Sequence, residues 1–415
     1  MPNFSIALTG LQADTVALNT IGNNLANLNT TAFKSETTSF EDLFYQNIGS
    51  SGSSDPLQIG TGTRVAGTTS NFAQGGTTTT QNSTDMELEG NGFFVVQQGT
   101  TQALTRAGNF QLDTQGNLIT TNGESVMGYG TTNGVVNSSG SLTPLQIPIN
   151  ATQPAQPTGN ISLTTTLNST SPQGAVFASP VTVYDSLGES HVATVTYTKQ
   201  APVAGPPALT QWSYAVALPA GDETGTPVNN TGTVSFNSAG VLVSPTTNPV
   251  MTFPGLADGA SSLSINFNLL GASGTPTVSE TAAASTTSTS SQDGYASGTY
   301  QSFTVGNSGV LTATFSNGNT ETVGQVAVAT VANVDGLANI GGNDFKATAA
   351  SGLMQIGQAG VGARGTIEDD ALEASNVDIS QEFSNLIIAQ RAFEANSKTV
   401  TTFDSVSETS INMIR

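Results

Sequence analysis

A chain of 415 residues is long enough for two or three domains, each with its own core, and 45 glycines with abundant Thr, Ser and Asn favour short strands and turns over a helical bundle. Nine Lys and Arg against 29 Asp and Glu give a formal net charge of -20, and the basic residues are scattered singly, so there is no basic stripe for nucleic acid or an anionic membrane. The absence of cysteine excludes a disulfide framework and any thiolate metal site.

From Phe4 to Leu28 the apolar residues recur at heptad spacing. Phe4, Leu11, Leu18 and Leu25 fall seven apart, with Ala7, Ile21 and Leu28 on the neighbouring position and Asp14 breaking that second row. The spacing predicts a helix with a narrow apolar stripe, about 37 Å long at 1.5 Å per residue. It should stop where Asn27, Asn29, Thr30 and Thr31 compete for the backbone. No basic residue precedes Lys34, and Asn, Asp, Thr and Gly interrupt the apolar positions, so the segment reads as neither a secretory leader nor a membrane span. The plain reading of that is a cytoplasmic protein, whereas a Lys-poor, Cys-free, Thr/Ser/Gly-rich chain also looks like a surface protein, which would require an export route that cleaves no leader; composition leaves both open.

Residues 31–70 read as an extended Gly/Ser-rich connector with one aromatic cluster, Phe40, Phe44 and Tyr45. An inner β domain is expected over 71–146 and 292–370. Its signals are short apolar runs such as Phe93 to Val96 and Phe110 to Leu112, punctuated by Gly108-Asn109 and Gly116-Asn117. Four prolines between Pro144 and Pro157 mark a linker into an outer β domain over 147–291, whose strands are expected at Val181 to Tyr184, Val192 to Tyr197, Trp212 to Leu218 and Leu263 to Leu270. A Ser/Thr tract around 279–292 leads back, and the pattern resumes with Phe303 to Val305, Val310 to Phe315 and Val323 to Val334.

The C-terminal segment repeats the N-terminal pattern. Leu372, Ile379, Leu386, Phe393, Val400 and Ile414 share one heptad position with Ser407, while Phe383, Ala389, Phe403 and Ile411 widen the stripe. Asp378 or Ser380, ahead of Gln381 and Glu382, supplies N-cap chemistry, so a helix should start near 379. The expected fold is mainly β with paired terminal α-helices: nested β domains inserted between 1–30 and 371–415. Two readings stand for the helices. They are ordinary surface helices docked on a globular core, or a coiled-coil pair that needs further copies to cover its remaining faces.

Catalytic chemistry is scarce. The single histidine, His191, lies in a strand-like run, so neither a histidine triad nor a multi-His metal site can be assembled within one chain. Glu368, Asp369 and Asp370 read as solvated charge before a helix. Gly360-Val-Gly362-Ala-Arg-Gly365 matches the dinucleotide fingerprint by letter, but no βαβ unit surrounds it and the acids that follow would repel a pyrophosphate. It reads as a flexible hinge. No catalytic, cofactor-binding or metal residue is expected.

Specific strings then identify a resemblance. Gly10-Leu11, Ile21-Gly-Asn-Asn-Leu-Ala-Asn27 and Phe33-Lys34 within Ser5 to Phe44 look like the opening signature of the flagellar hook and rod proteins. Leu88-Glu-Gly-Asn-Gly-Phe-Phe-Val-Val96, and Thr105-Arg-Ala-Gly-Asn-Phe110 through Gly128-Tyr129, resemble that family's inner domain. Ser375-Asn-Val-Asp378, Glu382-Phe383 and Ala389-Gln-Arg-Ala-Phe-Glu-Ala-Asn396 resemble its closing signature, while Val183-Tyr-Asp-Ser-Leu-Gly188 and Phe315-Ser-Asn-Gly318 resemble segments of its hook members.

The resemblance implies a structural, non-enzymatic subunit that is exported unfolded through the flagellar type III apparatus, without a cleaved signal peptide, and polymerises outside the cell. The implied partners are further copies of itself, the distal rod, the hook cap and the hook–filament junction proteins, with no cofactor, nucleic acid or membrane insertion. The insertion between 147 and 290 points to a hook member, a flexible helical tube that joins rod to filament and carries torque. A distal rod member is the near alternative, and a β-rich surface adhesin the more distant one. The expected assembly interface is Phe4, Leu11, Leu18, Ile21, Leu25, Leu28, Ile379, Phe383, Leu386, Phe393, Val400, Phe403 and Ile411.

Overall fold

The computed structural model describes residues 4–50, 56–132, 134–203, 205 and 209–413. The chain forms two compact units. The first takes the chain up to Ile149, Phe303–Ala313 and Glu321 onward; the second takes Asn150–Ser302 and Thr314–Thr320. The fold is strand-rich, with a long helix near each end of the chain.

In the first unit, helix α1 (Phe4–Ala26) is followed by four strands: β1 (Glu36–Asp42), β2 (Gln46–Ser50), β3 (Pro56–Ile59) and β4 (Thr63–Ser70). β1 and β4 form an antiparallel ribbon with an irregularity between Ser39 and Phe40, and β2 and β3 pair as a hairpin. These pairings lie in the stretch read as an extended connector. The reason is visible in β1, Glu-Thr-Thr-Ser-Phe-Glu-Asp: no residue of it is fully buried, so it carries no apolar alternation for the eye to find.

The larger sheet of this unit runs Thr320–Thr330, Ser125–Thr132, Phe93–Gln98, Thr101–Thr105, Asp344–Lys346, Ala338–Gly341. Phe93 to Val96 are all buried, and their alternate directions place them in two cores. Phe93 and Val95 join Leu104, Met127, Tyr129, Ala327, Ala329 and Phe345, with Phe72 edge-on to Phe93 and Phe345. On the opposite side Phe94 meets Phe110 edge-to-face at 5.2 Å. Helix α2 (Ile379–Met413) closes the chain.

The second unit is a β-sandwich. One sheet is a five-stranded antiparallel meander, Val176–Tyr184, Ser190–Lys199, Thr210–Ala217, Thr231–Phe236 and Leu242–Ser244; the other is built around Asn160–Asn168. Burial alternates along Ser190–Lys199, as a strand with one covered face requires. Trp212, Tyr197, Phe236, Phe253 and Phe267 fill one shared core. An ion pair crosses that core: Glu280 accepts from Lys199, from Thr210 and from Trp212 Nε1 at 3.0 Å, and Lys199 Nζ lies 5.0 Å from the indole centroid. Burial alone would raise the Glu280 carboxyl, but these hydrogen bonds outweigh it and hold it below its ordinary value.

Two motifs differ from their sequence readings. The 360–365 fingerprint is an ordered turn between the strands Gln355–Gln358 and Thr366–Asp369, with Gly360 and Gly362 at positive φ and Arg364 Nε donating to the Gln358 carbonyl at 2.9 Å. A strand does lead into it, but another strand follows, so no helix N-terminus is presented to a phosphate. Glu368 and Asp369 are strand residues paired with Glu87 and Met86, and Asp369 accepts from Val305 N at 2.9 Å. Consecutive acids cannot say which element they belong to.

Candidate functional site: the paired terminal helices and their anchor

α1 and α2 pack against one another mainly through small and polar residues, with Ile21 the one large apolar member on α1. On α1, Ala7, Gly10, Ala13, Thr20, Ile21 and Asn24 are buried, a seam at three- and four-residue spacing. A Cβ added at Gly10 would lie 2.7 Å from Asn396 Nδ2, so glycine leaves room for the Asn396 side chain of α2 there. The same Asn396 Nδ2 donates to Asp14 Oδ2 at 2.8 Å. Asn24 Nδ2 donates to the Glu36 carbonyl at 2.8 Å and to Glu382 Oε1 at 3.1 Å, and its Oδ1 accepts from Glu36 N at 2.9 Å. One asparagine thus joins α1, β1 and α2. Asp14, the residue that interrupts the apolar row, and Asn24 are the contacts that register the pair.

The large apolar residues are placed differently. Ile21 is buried in the seam, while Leu11, Leu18, Leu25, Leu28, Leu386, Val400 and Phe403 are half-buried. Ile379, Phe383, Phe393 and Ile411 are exposed. Phe4 begins α1, but its side chain lies outside the described residues, as does Ile414. Ile6, Leu8, Val16, Ile387, Ile388, Val406 and Met413 are exposed as well, and sequence reasoning missed them because they fall off the heptad row. A groove of 410 Å³ opens between α1, β1 and α2, lined by Ala17, Ile21, Phe40 and Ile388 among others.

α2 begins where the N-cap chemistry places it: Asp378 Oδ1 accepts from Ser380 N and Gln381 N at 2.8 and 3.1 Å. Its far end is unusual. Every residue from Asp404 to Met413 is exposed, and hydroxyls such as Ser405, Thr409 and Ser410 donate back to carbonyls four residues earlier. A helix with no covered face lacks the packing that stabilises most protein helices.

Both helices are tied to the β part of their unit by one buried cluster. Lys34 Nζ lies 2.5 Å from Glu373 Oε1, and Arg106 Nη1 lies 3.5 Å from Glu373 Oε2. Gly75 N donates to Glu373 Oε1 at 2.8 Å, and Arg106 also donates to the Leu88 carbonyl at 2.9 Å and the Gly90 carbonyl at 2.5 Å. Burial pushes both cations below their ordinary pKa values, and Glu373 pulls each of them back up.

Around this cluster the two chain segments are stitched by Ala32 N to the Glu373 carbonyl at 2.7 Å, Ser35 N to Asn376 Oδ1 at 2.7 Å, and Asn376 Nδ2 to the Asn71 and Ala73 carbonyls. The chain leaving α1 and the chain entering α2 are therefore fixed together. Lys34 and Arg106 stand inside the strings that carried the resemblance, whereas Glu373 stands in none of them. Nothing in its neighbourhood distinguishes it from the acids just before it.

His191 is a strand residue of the sandwich, as its context suggests, with Asp185 and Asp222 on its two ring nitrogens. No helix among the described residues is long and apolar enough to cross a membrane.

Known proteins match along the chain. The family model described as flagella basal body rod protein matches residues 4–34, the flagellar hook protein FlgE/F/G D1 domain 87–165, the flagellar basal body protein FlaE D2 domain 150–295, and the flagellar basal body rod FlgEFG protein C-terminal model 368–413. The flagellar hook protein FlgE of Salmonella typhimurium is 33% identical over 99% of this chain and 100% of its own. That of Treponema pallidum is 31% identical over 98% of each. The crystal structure of Helicobacter pylori flagellar hook protein FlgE2 superposes with a TM-score of 0.54 at 16% identity, covering 72% of this chain and 100% of that one, a likeness of fold.

Proposed function

We propose, from the premise that the chain belongs to the flagellar hook protein family, that its terminal helices are the segments through which copies of it join. It is a structural subunit of the hook. The observation that carries the proposal is the uncovered apolar surface of the helix pair: Phe383, Ile387, Ile388, Phe393, Val406 and Ile411 are all exposed in the monomer. Fully burying one such side chain contributes about 1.5–3 kcal/mol, so several of them buried in concert drive association.

The assembly interface then comprises Leu11, Leu18 and Leu25 of α1, Leu28 just beyond it, and Ile379, Phe383, Leu386, Phe393, Val400, Phe403 and Ile411 of α2, with the residues missed in sequence added to them. Ile21 belongs to the seam within each copy. A heterologous contact that does not close into a ring generates a helical polymer, the form expected of a tube that joins rod to filament and carries torque. The distal rod, the hook cap, the junction proteins and the type III export apparatus are the partners this role calls for, at a position outside the cell.

Electron microscopy of the polymerised chain tests the reading. Curved tubes are expected, and a chain carrying Phe383→Asp and Ile388→Asp should stay monomeric with unchanged monomer folding. Uniformly straight tubes would point to a rod subunit, and polymers unaffected by both substitutions would remove the helices from the interface.

A further inference from the structure

His191, Asp185, Asp222 and Asp258 come together in the sandwich unit from three separate segments: the turn and strand start at 185–191, the loop after Thr210–Ala217, and the loop after Val250–Phe253. We propose that this cluster is a site for a divalent transition-metal ion of the zinc class, with His191 Nε2, Asp185 Oδ2 and a carboxylate oxygen of Asp258 as its protein ligands.

The geometry carries the assignment. One ligand atom from each of the three residues lies within 4.8 Å of the others, and His191 Nε2 is 3.3 Å from Asp185 Oδ2. Two ligands each about 2.0–2.2 Å from a tetrahedral ion stand about 3.4 Å apart. Each ligand also has its remaining atom already engaged. His191 Nδ1 lies 2.9 Å from Asp222 Oδ2, the carboxylate–histidine arrangement that fixes a ring with its Nε2 lone pair toward a metal. Asp185 Oδ1 accepts from Leu187 N and Glu189 N at 2.8 and 3.0 Å, which turns Oδ2 toward His191 Nε2 and the Asp258 carboxyl. Asp258 Oδ1 accepts from Ala260 N at 3.0 Å, leaving its second oxygen.

Charge and exposure agree. Three carboxylates meet at one imidazole, and among the described residues no Lys or Arg forms an ion pair with any of them. Asp185 and His191 are buried and Asp258 is exposed, so the fourth position opens toward solvent and would take water, as three-ligand zinc sites do. A lone imidazole among carboxylates favours zinc, cobalt or nickel over calcium or magnesium, which prefer all-oxygen shells. An ion here would cross-link two segments of the sandwich, 185–191 and the loop of Asp258, while Asp222 from a third segment holds the ring.

The test is calorimetric titration of the full chain with zinc chloride, with calcium chloride as control, and thermal unfolding with and without zinc. The expected result is one zinc per chain, a raised Tm of the sandwich transition and no response to calcium. Because His191 is the chain's one histidine and there is no cysteine, His191→Ala should remove the binding. Asp258→Asn, on an exposed loop, should fold as the parent does yet weaken zinc more than about tenfold, and Asp222→Asn should weaken it by about 10–100-fold through the ring orientation. Cobalt should give the intense visible bands of a tetrahedral site in the parent and lose them in Asp258→Asn. No zinc response at 0.1 mM (about 5–6 kcal/mol of binding, on the affinity scale), or zinc binding that survives both His191→Ala and Asp258→Asn, would overturn the assignment.

Discussion

The sandwich and the helix pair solve burial in opposite ways. In the sandwich, every second residue of a strand such as Ser190–Lys199 is covered, and the buried charges of Lys199 and Glu280 satisfy one another within the same unit. In the helix pair the covered residues are, apart from Ile21, small or polar, among them Gly10, Ala13 and Asn24, while Phe383, Ile388 and Ile411 are exposed. One region is finished as a monomer; the other is fixed in register and left open. The difference teaches that helices can be held in place by a hydrogen-bonded seam and a buried ionic anchor while several of their apolar side chains stay exposed.

The anchor offers the strongest way to break this contrast. Glu373→Ala leaves Lys34 and Arg106 buried without their carboxylate, which costs about 3–5 kcal/mol. Two-transition denaturation should show the first unit destabilised and the sandwich transition unmoved. A loss shared equally by both transitions would mean the units are not independent.

The mirror experiment is Glu280→Ala, which strands Lys199 in the sandwich core and should lower the other transition by a comparable amount. Its effect should depend on pH. Because the Glu280 carboxyl is held below its ordinary value of 4.5, its contribution is present above that pH and is lost as pH falls through the lower folded value. The difference between variant and parent should therefore narrow in strong acid.

A smaller effect sharpens the account of the seam. Gly10→Val places branched carbon where Asn396 now stands and should cost about 1–3 kcal/mol by overpacking. Chemical denaturation followed by helix signal would read it.

A last effect is a matter of pH. Burial, with the Glu124 carboxylate beside it, raises the Asp344 pKa to about 7 from an ordinary 3.8. Between those values the native state holds more protons than the unfolded chain, so this contribution is complete below 3.8 and is lost as pH rises through 7. Asp344→Asn should gain Tm relative to the parent between pH 4 and pH 8, and a constant offset would contradict the shift.

Much of this contrast was legible from residues alone, and the part that was not has a physical cause. The start of α2 could be read because Asp378 is a local cap, and the strands of the sandwich because one covered face forces alternation. Heptad spacing located both helices, but it could not say which face meets the partner helix within a chain. Leucines and phenylalanines declare a stripe, whereas Ala7, Gly10 and Ala13 declare nothing until a second helix is laid against them. β1 and β4 escaped notice since neither has a fully buried residue. Glu373 escaped because burial of a charge depends on two cations that stand hundreds of positions earlier in the chain. The cluster at His191 was hidden for the same reason, its acids arriving on separate loops.

Hydrogen exchange of α2 in dilute monomer and in assembled polymer tests the central claim most directly. The account predicts that amides from Asp404 to Met413, exposed on every face in the monomer, exchange rapidly there and become strongly protected in the polymer. Protection of that segment in the monomer equal to its protection in the polymer would contradict it.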